Sequence, residues 1–373
     1  MRQGTSMSLQ LDILAIEPYY GGNRRAMLET IMASSEHRWT LLKLPPRRIE
    51  RRLAAAAHWF AEHITLHGVA NVDLVFTSDA LNLADFGRLV PALAAVPSLV
   101  YFHSNQLPPP DAEQDITAPA APEVLANLST AATAHEIWFN SPYHMKCFFE
   151  RTRALLSRHE QTFAHDPLAE LEGKSRVMLP PTDLRIAQNV QTASSIMRDK
   201  RTLFVDTRDA DCTLLNEALE VLRRRKQTFQ LLTVGACRGL SPQWPRAAVP
   251  DLDQFAIVQA MLKSGLFLSL RRNVFWDERL LIALAAGCWP IVPAGGVYSD
   301  LIPKLLDERC TYDGTSGHMA FVIQDFWEMI LPEGYDEAIA GILGPVNPIT
   351  ATKAIDERLE QIVISAPTKV TKT

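Results

Sequence analysis

Three places in the chain set polar residues directly after a short apolar run, the position of a ligand-binding loop in an α/β protein. Gly21 and Gly22 follow LQLDILAIEPYY and precede a segment with helical spacing. Glycine lacks a Cβ, so its backbone can take positive φ and approach a ligand closely, while the following helix turns unpaired N–H groups toward the same space. Phosphate binds at such a helix start, the alternative being a pair that only turns the chain. Asn23 is the next residue along this loop. His103, Ser104, Asn105 and Gln106 follow SLVYF, where a neutral imidazole can exchange hydrogen bonds with a sugar hydroxyl or a leaving oxygen. Asn140 and Ser141 follow EIWF; either binds ligand or caps a helix beginning at Pro142. The stretch from Lys43 to Arg52 differs in kind. It sets Arg47, Arg48, Arg51 and Arg52 against a single Glu50 at a helix start. Positive charge there opposes the helix dipole, which points to a phosphate-bearing partner.

Delivering these loops to one edge requires a particular scaffold. Apolar runs at 11–16, 39–44, 72–77, 98–102 and 136–139 alternate with helical patterns, including 53–64, 123–134 and 142–156. Strand, polar loop, helix, repeated, demands a parallel sheet. Ser78 or Asp79 is the expected cap of the helix after the third strand. A short strand at 177–179 stops at Pro180-Pro181, the expected domain boundary, and Thr182 to Arg201 reads as a polar linker. The same order then restarts, with strands at 201–206, 229–234, 266–270 and 287–293 and helices at 213–225, 255–264 and 278–286. Two domains are expected, 9–181 and 200–365, the second carrying C-terminal helices from Asp325 to Ile364 that pack back on the domains. The cleft between the carboxyl ends of the two sheets is the expected ligand site. The Pro- and Ala-rich stretch 108–121 reads as a surface loop or lid.

Composition narrows the class. A chain of 373 residues exceeds one ordinary core, and a net charge of −5 makes any nucleic-acid contact local and salt-sensitive. No apolar run reaches the ~20 residues that span a bilayer. The start has one Arg and no apolar core, so it does not read as a signal peptide; Met7 is the expected natural start. Five scattered cysteines lack metal-like spacing, which predicts reduced thiols, a cytoplasmic protein and no structural zinc.

EPYYGG at 17–22, LPPRR at 44–48, TSDALNLADF at 77–86, VYFHSNQL at 100–107, IWFNSPYHMKCFF at 137–149 and GCWPIVP with VYSDLIP at 287–303 together resemble the tRNA-queuosine mannosyltransferase family. The resemblance implies a GT-B fold of two Rossmann-like domains facing across a cleft, an acceptor-side first domain and a nucleotide-sugar-side second one. It implies transfer of mannose from GDP-mannose to the cyclopentene diol of queuosine in a tRNA anticodon, with retention, without a metal or other cofactor. His103 is then the candidate catalytic residue. Gly21, Gly22, Asn23, Asn105, Gln106, Asn140 and Ser141 are candidate binding residues in the first domain, with Asp277 and Tyr298 in the second, and Arg47, Arg48, Arg51 and Arg52 are the candidate tRNA contacts. The helix starting near Asp277 matches a diphosphate-binding duty.

The chain also departs from the family. Asn23-Arg24 stands where members read Ser-His after Y-G-G, and Ser104 where they read Glu after F-H. The tryptophans that flank a His in the basic run are gone, and with them the expected base-stacking groups. The stretch N-H-R-W-E-H-D-K falls on residues 205–212, where Asp211 matches and Arg208 matches only with a shift of one. The paired glutamates E-x7-E fall on Val274 and Ile282. Arg208, Arg271 and Arg272 are left as candidate cations for the diphosphate, and the pair after LFLSL is the better placed. The alternatives are a relative with altered donor or acceptor and a non-catalytic binding protein.

Overall fold

The computed structural model describes residues 9–104, 107, 122–157, 167–193, 196–208, 210–251 and 253–366. Asn105, Gln106, Asp209 and residues 1–8, 108–121 and 367–373 are among those outside them, so the loop or lid expected at 108–121 lies outside the described residues. The chain divides into two units, 1–181 with 349–373, and 182–348.

The first unit runs β1 (Asp12–Glu17), α1 (Gly22–Ser34), β2 (Arg38–Lys43), α2 (Ile49–His67), β3 (Leu74–Ser78), α3 (Leu83–Leu89), α4 (Pro91–Ala94), β4 (Ser98–Phe102), α5 (Pro122–Thr133), β5 (Glu136–Phe139), α6 (Pro142–Leu156), α7 (Pro167–Gly173) and β6 (Ser175–Val177). All six strands are parallel, in the order β2-β1-β3-β4-β5-β6. Alternate residues feed two cores. Leu14, Ile16, Val75, Val100, Phe102, Ile137 and Phe139 enter one, and Ile13, Ala15, Leu74, Phe76, Leu99, Tyr101 and Trp138 the other. Burial on both faces explains why these strands read as continuous apolar runs.

The second unit contains α8 (Arg185–Ala193), β7 (Asp199–Asp206), α9 (Thr213–Arg224), β8 (Gln230–Val234), β9 (Arg246–Ala248), α10 (Gln254–Lys263), β10 (Ser264–Ser269), α11 (Glu278–Ala285), β11 (Trp289–Pro293), α12 (Tyr298–Leu301), α13 (Asp307–Cys310), β12 (Thr311–Tyr312), α14 (Ser316–Glu328) and α15 (Tyr335–Val346). Its sheet is also parallel, ordered β12-β11-β10-β7-β8-β9. The expected linker contains α8, which buries Leu184, Ala187 and Val190 at its start and along one side. Its apolar residues are few and spaced by polar ones, which hid the helix.

The last helix, α16 (Pro348–Ser365), corrects the expected division. It was expected within the second domain, yet it belongs with the first unit. Ile355, Leu359 and Ile362, spaced i, i+4, i+7, close the core lined by Ile13, Met27, Ile31 and Trp138. Polar contacts fix its register: Arg358 pairs with the buried Glu136, and Asp356 accepts from Ser35 Oγ at 2.7 Å and the Glu36 amide at 2.9 Å. The five cysteines are free thiols. Among the described residues no helix is long and apolar enough to cross a membrane.

Because Leu359 is fully buried, Leu359→Ala is expected to cost about 2–5 kcal/mol. Hydrogen exchange should show protection lost in β1, α1 and β4, with β7 and β10 unaffected; uniform loss across both units would contradict this allocation of the helix.

Candidate functional site

In the first sheet the strand order reverses between β1 and β3, so the loops after these strands open a crevice at the carboxyl edge. Gly21 and Gly22 lie in the first loop. Gly22 has φ +53°, favoured by glycine, and is exposed. Gly21 is extended and needs its missing side chain for another reason: a Cβ there would meet Pro46 Cγ at 2.5 Å. The loop after β2 therefore lies directly on the Gly-Gly turn, an arrangement held by Leu44 N–H to Glu17 O at 3.1 Å and Tyr20 N–H to Leu44 O at 3.0 Å. Asn23 is exposed beside them.

A buried charge cluster joins this turn to His103. Arg24, in the first turn of α1, is 7% exposed. Its Nη2 donates to Asp79 Oδ2 at 2.7 Å and to Ser104 Oγ at 3.3 Å, and its Nη1 lies 3.8 Å from Glu17 Oε2. Burial opposes the guanidinium charge, and the two carboxylates outweigh it and keep Arg24 ionised. Asp79 Oδ1 accepts the His103 amide at 2.9 Å, so one carboxylate holds both the α1 arginine and the loop after β4. Burial, with Arg24 and His144 beside it, pushes His103 well below the usual imidazole range. Its ring lies 4.7 Å from Tyr101, and Nε2 is buried with no hydrogen-bond partner among the described residues.

Asn140 and Ser141 support this arrangement from below. Asn140 Nδ2 donates to His103 O at 3.0 Å, and its Oδ1 faces His144 Nδ1 at 2.8 Å. Burial lowers His144 to about 3 and leaves it neutral. Ser141 is fully buried and caps α6 by accepting from the His144 amide at 3.1 Å. Of the alternatives open for this pair, capping holds for Ser141 and positioning for Asn140. The expected cap at Ser78 or Asp79 is supplied instead by Asn82, which accepts from the Asp85 amide. Asp79, Glu17 and Arg24 were the residues missed as a site. Their signal was a charged residue at the end of an apolar strand in two of the three loops.

The second sheet reverses between β7 and β10. Asp206, at the end of β7, accepts from Arg208 Nη2 at 2.9 Å and Arg279 Nη1 at 3.1 Å. Asp251 lies 3.5 Å and 3.2 Å from the same two arginines. Arg208 is thus already neutralised by carboxylates. Asp277 and Tyr298, expected as ligand contacts, are buried and bonded to each other at 2.8 Å, with Ser269 Oγ 2.7 Å from the tyrosine hydroxyl. Asp277 also caps α11 by accepting from the Leu280 amide at 3.2 Å. That helix start thus carries its own carboxylate, Asp277, in place of a ligand's charge, with Glu278 beside it in the first turn. Arg271 is half-buried and Arg272 exposed after β10, and among the described residues neither has a carboxylate within ion-pair distance. No group of three His, Cys, Asp or Glu side chains among the described residues is arranged to hold a metal.

Two parallel six-stranded sheets, each with helices and a strand-order reversal, are the architecture of the GT-B fold, and solved structures share it. The chain is similar to the N-terminal domain of Candida albicans trehalose-6-phosphate phosphatase (TM-score 0.67, 9% identity, 97% of this chain and 99% of that one). It is also similar to the trehalose-6-phosphate synthase OtsA (0.65, 10%, 94% and 99%) and to the UDP-GlcNAc 2-epimerase of Neisseria meningitidis (0.55, 12%, 94% and 100%). Residues 12–182 match the sequence model described as tRNA-queuosine alpha-mannosyltransferase N-terminal. The Drosophila melanogaster tRNA-queuosine alpha-mannosyltransferase is 24% identical over 314 residues, 78% of this chain and 82% of that protein. Over residues 12–182 the chain is thus similar to the N-terminal region of this family.

Two outcomes follow from the charges. Asp79→Asn leaves a buried guanidinium facing one distant carboxylate and is expected to cost about 3 kcal/mol by denaturant unfolding; an unchanged midpoint would contradict the cluster's role. Glu278 is pushed up to about 7, chiefly by burial. A carboxyl raised in the folded state binds a proton that the unfolded chain has lost between pH 4.5 and 7, so its contribution to stability declines as pH rises through that window. Glu278→Gln should therefore melt higher than the parent at pH 8, with the gap closing by pH 4; a gap that widens toward acid would reverse the assignment.

Proposed function

We propose that the protein transfers mannose from GDP-mannose to the cyclopentene diol of queuosine in a tRNA anticodon, with retention at the sugar, in the cytoplasm. The observation that carries this reading is the family match over residues 12–182, the stretch that also builds the Arg24–Asp79–His103 edge. In this reading the first unit receives the acceptor. An imidazole kept neutral, with Nε2 lacking a partner among the described residues, can meet the nucleoside hydroxyl. The Gly21-Gly22 turn with Asn23 belongs to the same rim; Asn105 and Gln106, expected there from the sequence, lie outside the described residues.

Phosphates of the acceptor fall to the basic run. Arg47, Arg48 and Arg51 are exposed and Arg52 half-buried, and the loop that carries the first two rests against Gly21 through Pro46. Arg48 holds φ +50° at the N-cap of α2 without a side-chain cap. Such a conformation in a residue other than glycine accords with a functional position.

The second unit receives the donor. As the glycosidic bond breaks, negative charge grows on the departing diphosphate and needs a preorganised cation. Arg208 and Arg279 are engaged by Asp206 and Asp251, which supports Arg271 and Arg272 for this duty in a reading that calls on no cofactor. The carboxylate network and the capped start of α11 favour a second reading, a protein that binds its ligands without turnover.

A ligand that binds only the folded state at 100 times its Kd adds about 2.7 kcal/mol of stability. GDP-mannose is expected to raise the melting temperature more than UDP-glucose does, and GDP to reproduce part of the rise. Arg271→Ala with Arg272→Ala should weaken donor affinity or rate by about tenfold or more. Unchanged binding and transfer in the double variant would remove these arginines from the donor site, and no response to any nucleotide sugar would favour the second reading.

A further inference from the structure

The outward face of α2 carries a feature that the basic run alone does not explain. Trp59 lies seven residues after Arg52, His63 four after Trp59 and His67 four after that. At 3.6 residues per turn this spacing places Arg48, Arg52, Trp59, His63 and His67 along one stripe of the helix. The opposite face buries Leu53, Ala57 and Phe60.

The rings on the stripe are already ordered. Trp59 stacks on His63 with centroids 5.3 Å apart and planes 7° from parallel, and His63 stacks on His67 at 4.3 Å. Phe60, fully buried, meets the Trp59 ring edge-on at 5.0 Å and fixes its tilt. Even so, Trp59 keeps 44% of its surface exposed. An indole held in orientation by its neighbours yet open to solvent loses little conformational freedom when a flat group settles on it.

Charge selects the class of flat group. Among the described residues, none of the four arginines of the basic run has a carboxylate within ion-pair distance, and they crowd the positive end of the helix dipole. Seven residues of helix separate Arg52 from Trp59, ~11 Å of axis. Anionic linkers at one end and planar rings further along describe a nucleic-acid strand, in which phosphates and bases alternate.

We propose that this stripe of α2 is a binding surface for single-stranded RNA, with phosphates on Arg48, Arg51 and Arg52 and an unpaired base stacked on Trp59 at the open end of the Trp59–His63–His67 ladder. The inference rests on the tRNA reading above and extends it to a second point of contact, away from the nucleoside that receives the sugar. It also restores a stacking group that the sequence of the basic run lacks. The expected tryptophans are absent from that run, and one stands two turns further along the same helix.

The test uses the full chain and two RNAs, a short oligouridylate and a queuosine-containing tRNA. Because base–aromatic stacking contributes ~1–3 kcal/mol, Trp59→Ala should weaken oligouridylate binding by about tenfold, and Trp59→Phe should keep most of the affinity. Leu125→Ala, which removes an apolar side chain 54% exposed on α5, should change nothing. The salt dependence separates the two halves of the surface. Trp59→Ala should leave the slope of log affinity against log salt intact, while Arg48→Ala and Arg51→Ala should each flatten it by ~0.7. With tRNA as acceptor, Trp59→Ala should raise KM and leave kcat near the parent's.

Oligouridylate bound equally by the parent and Trp59→Ala, or by neither, would overturn the proposal. Mannose transfer to tRNA with a KM that Trp59→Ala leaves unchanged would overturn the surface and leave the proposed function standing. RNA bound through Trp59 by a protein that transfers no sugar would do the reverse.

Discussion

The first unit depends on one buried guanidinium. Arg24 enters the protein interior at the head of α1, where desolvation of its charge is costly, and two carboxylates from different strands compensate it: Glu17 at the end of β1 and Asp79 just past β3. Because Asp79 uses its other oxygen on the His103 amide, the charge compensation also ties the β4 loop to the Gly-Gly turn. Local conformations thus become one edge. The same positive charge, added to burial, keeps the His103 ring neutral. A single electrostatic requirement therefore positions the residue and sets its protonation.

The second unit meets a similar problem with a different result. There the carboxylates outnumber the open cations at the sheet reversal: Asp206 and Asp251 engage Arg208 and Arg279, while Asp277 is occupied with Tyr298 and the start of α11. A helix start capped by its own carboxylate has one free amide fewer and a negative side chain where a phosphate would sit. What remains open is the positive charge just after β10. The stretch after β7 is instead an internally balanced network of two carboxylates and two arginines.

How much of this was legible in the sequence follows from which forces act locally. β4 (Ser98–Phe102), β5 (Glu136–Phe139) and α6 (Pro142–Leu156) match their expected bounds because apolar runs and a Ser-Pro cap are local signals. The strand expected at 177–179 lies at Ser175–Val177, since pairing with β5, and not propensity, sets the register of a three-residue edge strand. Helix α16 reads as amphipathic in isolation, but the sheet it covers is fixed by Arg358 and Glu136, 222 residues apart. The site was legible in the same uneven way. Gly22 and His103 stand out by type and position, whereas Asp79 reads as an ordinary cap, and its use by Arg24, 55 positions away, exists only once the chain has folded. Tyr298 and Asp277 read as polar residues free for a ligand because their mutual hydrogen bond is likewise non-local.

The central claim is that this divergent chain retains glycosyl transfer. The most direct measurement is mass spectrometry of nucleosides digested from queuosine-containing tRNA after incubation with the purified protein and GDP-mannose. The account predicts queuosine gaining the mass of one hexose, and no gain when tRNA lacking queuosine is supplied. Queuosine left unmodified by this protein, under conditions in which a tRNA-queuosine alpha-mannosyltransferase converts it, would contradict the account.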